Sequence, residues 1–368
     1  MNILSSSVFK FFKNIEKNAE TFYYRTLKDN FLSFKLKLKI SGLLKSKTRI
    51  ALTKAQKKEI KAFYRNNNIE SVNTKWHKFY SDCNGNFDVG YLPENLFYVK
   101  IEPLFNATLF FPALADKNLI EKLFADIKQP ETVIKNSNGF FFHDGKLITF
   151  DEAVDYCSIR KKMIIKPTID SWGGKNVLLF SGHDDGNVAN KKAIEKLFRD
   201  YKKNFIVQRV VEQHREMSRL NSTSLNTIRV MSFLKDTEII VLSIVVRIGR
   251  KGAFTDNATT GGIPCGVKPD GRLNETGYDL SGKPFTMTDC GLKLKDIQIP
   301  FMDKIRDTVK ILHAGMPYFR IISWDLAIDI NEDVILIEHN DLGQDINFHQ
   351  LNNGPVLVPI LEEYAKMM

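Results

Sequence analysis

The segment IISWDLAIDINEDVILIEHND, residues 321–341, constrains the fold of this chain more than any other stretch. Two apolar runs flank Asn331-Glu332, and a two-residue loop there pairs Ile330 with Asp333 in an antiparallel hairpin. Counting outward in that register sets Asp325 opposite Glu338 and Ser323 opposite Asn340. Alternation along a strand then puts Asp325, Glu338 and Asn340 on one face of otherwise apolar strands. Opposed carboxylates repel one another unless a cation neutralises them. Without that cation, one of the two is expected to bind a proton more readily than an isolated side chain does. Two carboxylates and an amide suit Mg²⁺ bridging phosphates, so Asp325, Glu338 and Asn340 are the predicted metal ligands. An ordinary exposed polar face is the alternative.

A complementary signal lies upstream. Lys166 sits in the apolar strand pattern MIIKPT, and six residues later come Gly173-Gly174. A lysine among isoleucines is costly to bury without an anionic partner. Glycines just beyond it let backbone N–H groups approach phosphate oxygens closely, although a plain hairpin explains a Gly-Gly loop equally well. Lysine, loop and distant carboxylates together describe the two ends of a Mg-nucleotide.

Around these motifs the chain reads as an α+β protein. Residues 8–66 read as helices, with Thr53 capping KAQKKEIKAFYRN. Residues 67–112 read as irregular, with short apolar strands around Phe97 to Ile101. A helix is expected from about Lys117 to Asp126, then a hairpin turning on Asp144-Gly145, then a short helix at DEAVDYC. Strands are expected at KMIIKPTID, VLLFSG, NFIVQRVV, NTIRVMSFL and EIIVLSIVVRIG, with helices at NKKAIEKLFRDYKK and around Phe301 to Ala314. The expected units are a basic helical region with a lead-in lobe over 1–112, a small lobe with the glycine loop over 113–212, and a large lobe with the metal site over 213–368.

Lys117, Lys166, Gly173-Gly174, Gln208, Arg229, Asp325 and Glu338-x-Asn340 occur in an order that resembles the ATP-grasp superfamily over about residues 113–350. The segments LADKN, IIKPTIDSWGGKNV, VQRVVEQH, SLNTIRV, DNATTGGI and IEHNDLGQDINFHQ look like its sugar-transfer-associated branch, related to alpha-L-glutamate ligase homologues. The resemblance implies an ATP-grasp fold, two α+β lobes gripping ATP, with ATP and Mg²⁺ as cofactors. It implies that Lys117 and Lys166 neutralise phosphates and that Gly173, Gly174 and Lys175 form a phosphate lid. Gln208, Arg209, Val210 and Val211 would form the adenine hinge, His214 beside it is a candidate ribose contact, and Asp325, Glu338 and Asn340 would hold the metal. Many ATP-grasp ligases carry an arginine two residues before the metal-binding aspartate. Here that position is Ser323, so Arg229 or Arg247 has to meet the charge on the transferred phosphoryl group. The loop from Asp256-Asn257 to Gly261-Gly262 fits a substrate segment or a structural turn.

The function implied is a carboxylate–amine ligase that forms an amide through an acyl phosphate, joining an amino acid or small amine to a sugar carboxylate in surface-polysaccharide biosynthesis. A kinase of a glycan precursor, using the same Mg-ATP site, is one alternative. A non-enzymatic glycan- or membrane-associated binding protein is the other. Cys83, Cys157, Cys265 and Cys290 are scattered without a C-x-x-C pair, so neither a zinc site nor a redox motif is expected. The longest apolar run, Ile239 to Val246, is far below the roughly 20 residues of a membrane span, and a soluble cytoplasmic protein is predicted. Residues 1–66 carry sixteen Lys or Arg against four Asp or Glu, which accounts for the net charge of +10. That basic segment reads as a solvated helical layer packed on the body through its aromatic face. A peripheral contact with an anionic membrane face or a lipid-linked glycan is the sharper alternative, and no nucleic-acid partner is expected.

Overall fold

The structure is a computed structural model and describes residues 26–45, 51–169, 176–183, 190–256 and 261–368. Its strands are β1 (Thr132–Ser137), β2 (Phe140–His143), β3 (Lys146–Ile148), β4 (Met163–Pro167), β5 (Leu178–Phe180), β6 (Phe205–Arg209), β7 (Thr227–Lys235), β8 (Glu238–Ile248), β9 (Ile263–Gly266), β10 (Gly277–Tyr278), β11 (Pro284–Phe285), β12 (Ile321–Ile328) and β13 (Val334–Asn340). They form an antiparallel sheet of order β3-β2-β1-β6-β4-β5, a second of order β13-β12-β7-β8-β9, and the small pair β10-β11.

In the first sheet, alternation divides the side chains between two environments. Met163 and Ile165 of β4 and Phe205 and Val207 of β6 pack into a core closed by the helices Phe150–Ser158 and Lys191–Tyr201. Lys166 and Gln208, one residue out of phase, lie on the opposite face. The hairpin before them turns on Asp144 and Gly145, both at positive φ as a tight two-residue turn requires. Thr149 and Glu152 form a reciprocal capping box on the following helix.

The second sheet is likewise two-faced. Ile228, Val230, Val246, Trp324 and Leu326 bury against the helix Met302–Ala314. On the other face, Met231, Phe233 and Ile321 lie under the N-terminal helices, while Arg229, Arg247 and Asp325 lie toward the far end. The expected strands around Phe97 to Ile101 are corrected. Glu94–Leu96, Phe97–Ile101 and Glu102–Phe105 make one helical run, widened to a π-turn in the middle. Phe97, Ile101 and Phe105, four apart, are buried on one side of it, and Pro103 has no N–H to return to the preceding turn. The helix expected over Lys117 to Asp126 divides into a 3₁₀ turn, Lys117–Leu119, and a short helix, Ile120–Leu123.

Residues 26–45 are helical and Lys54–Asn66 forms a helix with Thr53 as its cap; residues 51–53 are not helical, and 8–25 and 46–50 of the expected helical stretch lie outside the described residues. Among the described residues, no helix is long and apolar enough to cross a membrane.

The helix Ile346–Asn353 ties these parts together, and its polar side chains are buried. Gln350 donates to Leu92 O (2.9 Å) and to Tyr80 Oη (2.9 Å), and its Oε1 accepts from Leu92 N (2.7 Å). Asn352 brackets Tyr278 N and O in the same way. Each amide therefore pairs both backbone groups of one residue as a neighbouring strand would, at Leu92 outside any strand and at Tyr278 in the short strand β10. Truncating Gln350→Ala leaves a buried N–H and C=O at Leu92 unpaired. It should cost about 2–4 kcal/mol in urea unfolding at roughly 1–3 kcal/mol per orphaned group. A loss below about 1 kcal/mol would mean that water replaces the amide and that the helix is not the tie described.

Candidate active site

Hairpin β12–β13 sets the site, and it does so by a different route from the expected one. The turn has three residues, Ile330 to Glu332, because Asp329 N donates to Asp333 O at 3.0 Å. Glu332 takes φ 66°, and the Asp329 carboxylate accepts from Asn331 N (3.0 Å) and Asp333 N (2.8 Å). The expected Ile330–Asp333 pairing is therefore corrected. A bulge at Ile337 then adds one residue to β13, which restores Asp325 opposite Glu338 and Ser323 opposite Asn340.

Asp325 is fully buried and faces two arginines. Arg229 on β7 holds it bidentately, Nε to Oδ1 and Nη2 to Oδ2, both at 2.8 Å. Arg247 on β8 reaches Oδ2 at 3.1 Å. Arg247 is itself aimed by Thr227 Oγ1, which accepts from its Nε (2.9 Å) and Nη2 (2.7 Å). Asp256 behind it accepts from Thr227 N (2.8 Å) and Oγ1. Burial alone would raise the Asp325 carboxyl, but the two guanidiniums overcome it and hold this group well below the usual carboxylate range. The expectation of a carboxyl that binds a proton more readily is thus corrected for Asp325, whose neutralising cations are arginines of its own sheet.

The lysines come from the other lobe. Lys117 N donates to Thr168 O (3.1 Å), and Asn118 beside it donates to Asn136 O (3.0 Å), fixing the 3₁₀ turn to β1 and to the end of β4. Lys117 Nζ lies 3.6 Å from Glu338 Oε2. Lys166 is buried, and burial lowers its pKa from 10.5 to about 8 against the pull of Glu338, with Lys117 pushing the same way as burial. Lys117, Lys166 and Gln208, with Pro130, Leu336 and Ile337, line a small cavity of about 10 Å³. Gln208 Oε1 is buried there without a hydrogen-bond partner. A larger cavity, about 1050 Å³, runs along the outer half of β8 and the loop from Val267, away from these charges. The chemistry belongs with the buried charges, since Glu238, Lys268 and Lys310 that line the open groove are exposed to solvent.

The structure thus brings together Lys117, Lys166, Gln208, Arg229, Arg247, Asp325, Glu338 and Asn340. Arg209 points outward to Glu131 at 3.1 Å, and Val210 N donates to Lys162 O on the way out of β6. Downstream, His214 caps the turn Arg215–Ser218, its Nδ1 accepting from Glu216 N at 3.3 Å. Gly173, Gly174, Lys175 and Asn257 lie outside the described residues.

Four further residues at the site lie within the quoted segments but are not among the candidate catalytic, nucleotide or metal residues. Thr227 and Asp256 aim Arg247. Asp345, at φ 52°, places Oδ2 3.5 Å from Arg229 Nη1. Buried His349 bonds Ser243 Oγ through Nδ1 (2.9 Å), and burial together with Arg229 and Arg247 pushes it down to about 3. For Asp345, the DLGQD turn after Glu338-x-Asn340 was the available signal.

A family model described as "Sugar-transfer associated ATP-grasp" matches residues 97–366. The chain belongs to that family. No curated protein matches. Among solved structures, D-cycloserine synthetase DcsG is 12% identical, with 68% of this chain and 70% of that one covered and a TM-score of 0.41. VanG D-Ala:D-Ser ligase from Enterococcus faecalis is 12% identical over 69% and 60%, TM-score 0.41. L-amino acid ligase from Bacillus licheniformis is 11% identical over 68% and 48%, TM-score 0.37, so this chain spans about half the length of that protein. ATP-grasp enzymes work with ATP and Mg²⁺.

Lys166 makes the site testable by pH. Between about pH 8 and 10.5 the unfolded chain keeps a proton that the folded chain has released, so the burial cost of the charged lysine is relieved and stability rises with pH across that window. In a ¹³C- or ¹⁵N-detected titration Lys166 should lose its proton near pH 8, and millimolar pyrophosphate should move that midpoint upward. A midpoint near the ordinary lysine value, unmoved by the anion, would show that Lys166 does not face a phosphate site.

Proposed function

We propose that this ATP-grasp protein is a carboxylate–amine ligase that joins an amino acid or small amine to a sugar carboxylate in the assembly of a surface polysaccharide. The observation that carries the reading is the meeting of Lys117 and Lys166 from one lobe with Glu338, Asp325, Arg229 and Arg247 from the other. Such a cleft offers cations to phosphates and oxygens to a divalent ion within one enclosed space.

The residues present fit Mg²⁺. Asp325 already accepts two N–H groups of Arg229 and has Arg247 Nη2 at 3.1 Å, which leaves its carboxylate little further capacity. Glu338 and Asn340, on one face of β13, offer the more open oxygens, and Asp325 completes the set through its remaining lone pair. Among the described residues, no group of three or more His, Cys, Asp or Glu is arranged as a metal cage, which suits an ion that completes its shell with phosphate oxygens and water.

ATP with Mg²⁺ supplies the phosphoryl group that turns a carboxylate into an acyl phosphate; an amine then displaces phosphate, loses a proton and leaves an amide. The protein's share is positioning. Lys117 and Lys166 meet phosphate charge, Gln208 offers its unpartnered Oε1 to an adenine amine, and Arg229 and Arg247 face the reacting carboxylate and phosphoryl oxygens. With Ser323 at the position where many relatives carry arginine, these two supply that charge from β7 and β8. Gly173, Gly174 and Lys175 close over the phosphates in this reading, excluding water that would hydrolyse the acyl phosphate.

The deciding assay follows ADP release over a panel of uronic acids crossed with amino acids, with mass spectrometry of the product. A mass gain of amine minus water is the expected result, and a gain of phosphate without any amine would make the protein a sugar kinase instead. Glu338→Gln keeps the side chain's size while removing a charge from the ion's ligands, and should lower ADP release by at least about 100-fold. Full activity in that variant at low Mg²⁺ would overturn the site.

A further inference from the structure

The helix over residues 26–45 has two apolar faces, and among the described residues only one of them is packed. Leu36, Ile40 and Leu44 are buried. Ile40 and Leu44 join a cluster with Trp76, Phe79, Tyr80 and Tyr91. Lys39 Nζ pairs with the buried Glu94 at 2.7 Å, and Lys75 Nζ donates to Ser41 Oγ at 3.0 Å. These contacts fix how the helix is rotated against the body.

That rotation turns a second stripe outward. Leu27, Phe31, Phe34 and Leu38 are 52%, 69%, 58% and 57% exposed. Their spacing of four, three and four residues stacks them within a narrow arc at 3.6 residues per turn. On the same wheel Lys28 and Lys35 fall on one flank of the stripe and Lys37 on the other, all three exposed. A single exposed leucine needs no explanation, but four large apolar side chains in one line between two lysine flanks do.

We propose that this stripe docks the enzyme on an anionic membrane surface. Apolar side chains buried to the depth of the acyl boundary, with lysines reaching back to the headgroups, make up the geometry of an interfacial helix. The sequence favours the same partner, since residues 1–66 hold sixteen Lys or Arg against four acidic residues. An anionic glycan would satisfy the lysines but leave the phenylalanines in water, whereas a bilayer satisfies both. The proposal goes beyond the ligase reading and does not depend on it, because docking is measured without turnover.

The test is sedimentation of the full chain with vesicles of phosphatidylcholine alone and of phosphatidylcholine with roughly one-third phosphatidylglycerol. The protein should sediment with the anionic vesicles, remain free of the neutral ones, and be released by high salt. Phe31→Gln/Phe34→Gln and Lys35→Gln/Lys37→Gln should each weaken binding at least about 10-fold while the thermal midpoint stays put, since all four side chains are exposed. Absence of binding by the unaltered protein, or equal binding by the phenylalanine variant, would overturn the proposal. A dimer that dissolves in Phe31→Gln/Phe34→Gln, without vesicle binding, would overturn it as well and make the stripe a self-association face.

Discussion

The bidentate pair between Arg229 and Asp325 is the constraint on which the rest of the site depends. Taking both charges out of water costs several kcal/mol per ion, and only tight geometry with further hydrogen bonds offsets that. The surroundings supply those bonds in layers. Arg247 adds a second guanidinium to the carboxylate, Thr227 aims Arg247, Asp256 anchors Thr227, and Asp345 approaches the remaining side of Arg229. Three adjacent strands, β8, β7 and β12, must therefore hold register to within one residue, since a slip would turn every one of these groups to the opposite face. The apolar ends of the same strands enforce that register through Met231, Phe233 and Ile321.

A second constraint is the attachment of the N-terminal region to the loop that follows Glu338 and Asn340. Glu102 accepts from Gly343 N at 2.8 Å, and Asn106 donates to the carbonyls of Ile321 and Asp341. Burial raises Glu102 from 4.5 to about 8, so at neutral pH it carries a proton while its carbonyl oxygen can still accept. Residues that sequence reading assigned to an irregular lead-in thus brace the strand end that bears Glu338 and Asn340. The family match begins at residue 97, inside this brace.

How much of this was legible follows from which interactions are local. The β12–β13 hairpin was readable because its alternation spans twenty residues. The pairing at Asp325 came out right although the turn was misjudged, since a longer turn and the bulge at Ile337 cancel. Local signals also predicted the capping of Thr53 and the Asp144-Gly145 turn. Nothing local marks INFHQLNN as a buried helix, because its amides are satisfied by Tyr80, Leu92 and Tyr278, up to 270 residues away. Similarly, the aromatic face expected to pack on the body is turned outward at Phe31 and Phe34. Aliphatic Leu36, Ile40 and Leu44 point inward while Phe31 and Phe34 point out, a choice set by the partner surface and not by the helix itself.

The two lobes meet through charges whose natural partner is an anion. Lys117 is close enough to Lys166 to weaken its hold on a proton, and Glu338 is the carboxylate that offsets this. Phosphates would relieve both lysines more fully, and the same event would free Glu338 from Lys117 at the moment when a divalent ion arrives with the nucleotide. The cavity of about 10 Å³ between these groups holds roughly one water, so such an exchange requires the lobes to part first. Of the contacts that join residues 113–212 to the large lobe, the Lys117–Glu338 ion pair at 3.6 Å is between partly exposed side chains and is worth at most about 1 kcal/mol, while Lys128 with Asp329 (2.6 Å), Leu336 N donating to Lys128 O (2.9 Å) and Phe124 against Trp324 lie farther along the seam. The pair that organises the large lobe, Arg229 with Asp325, lies wholly within one sheet and is untouched by that motion. The Lys117–Glu338 contact can therefore give way to a phosphate while the pair that organises the large lobe stays assembled.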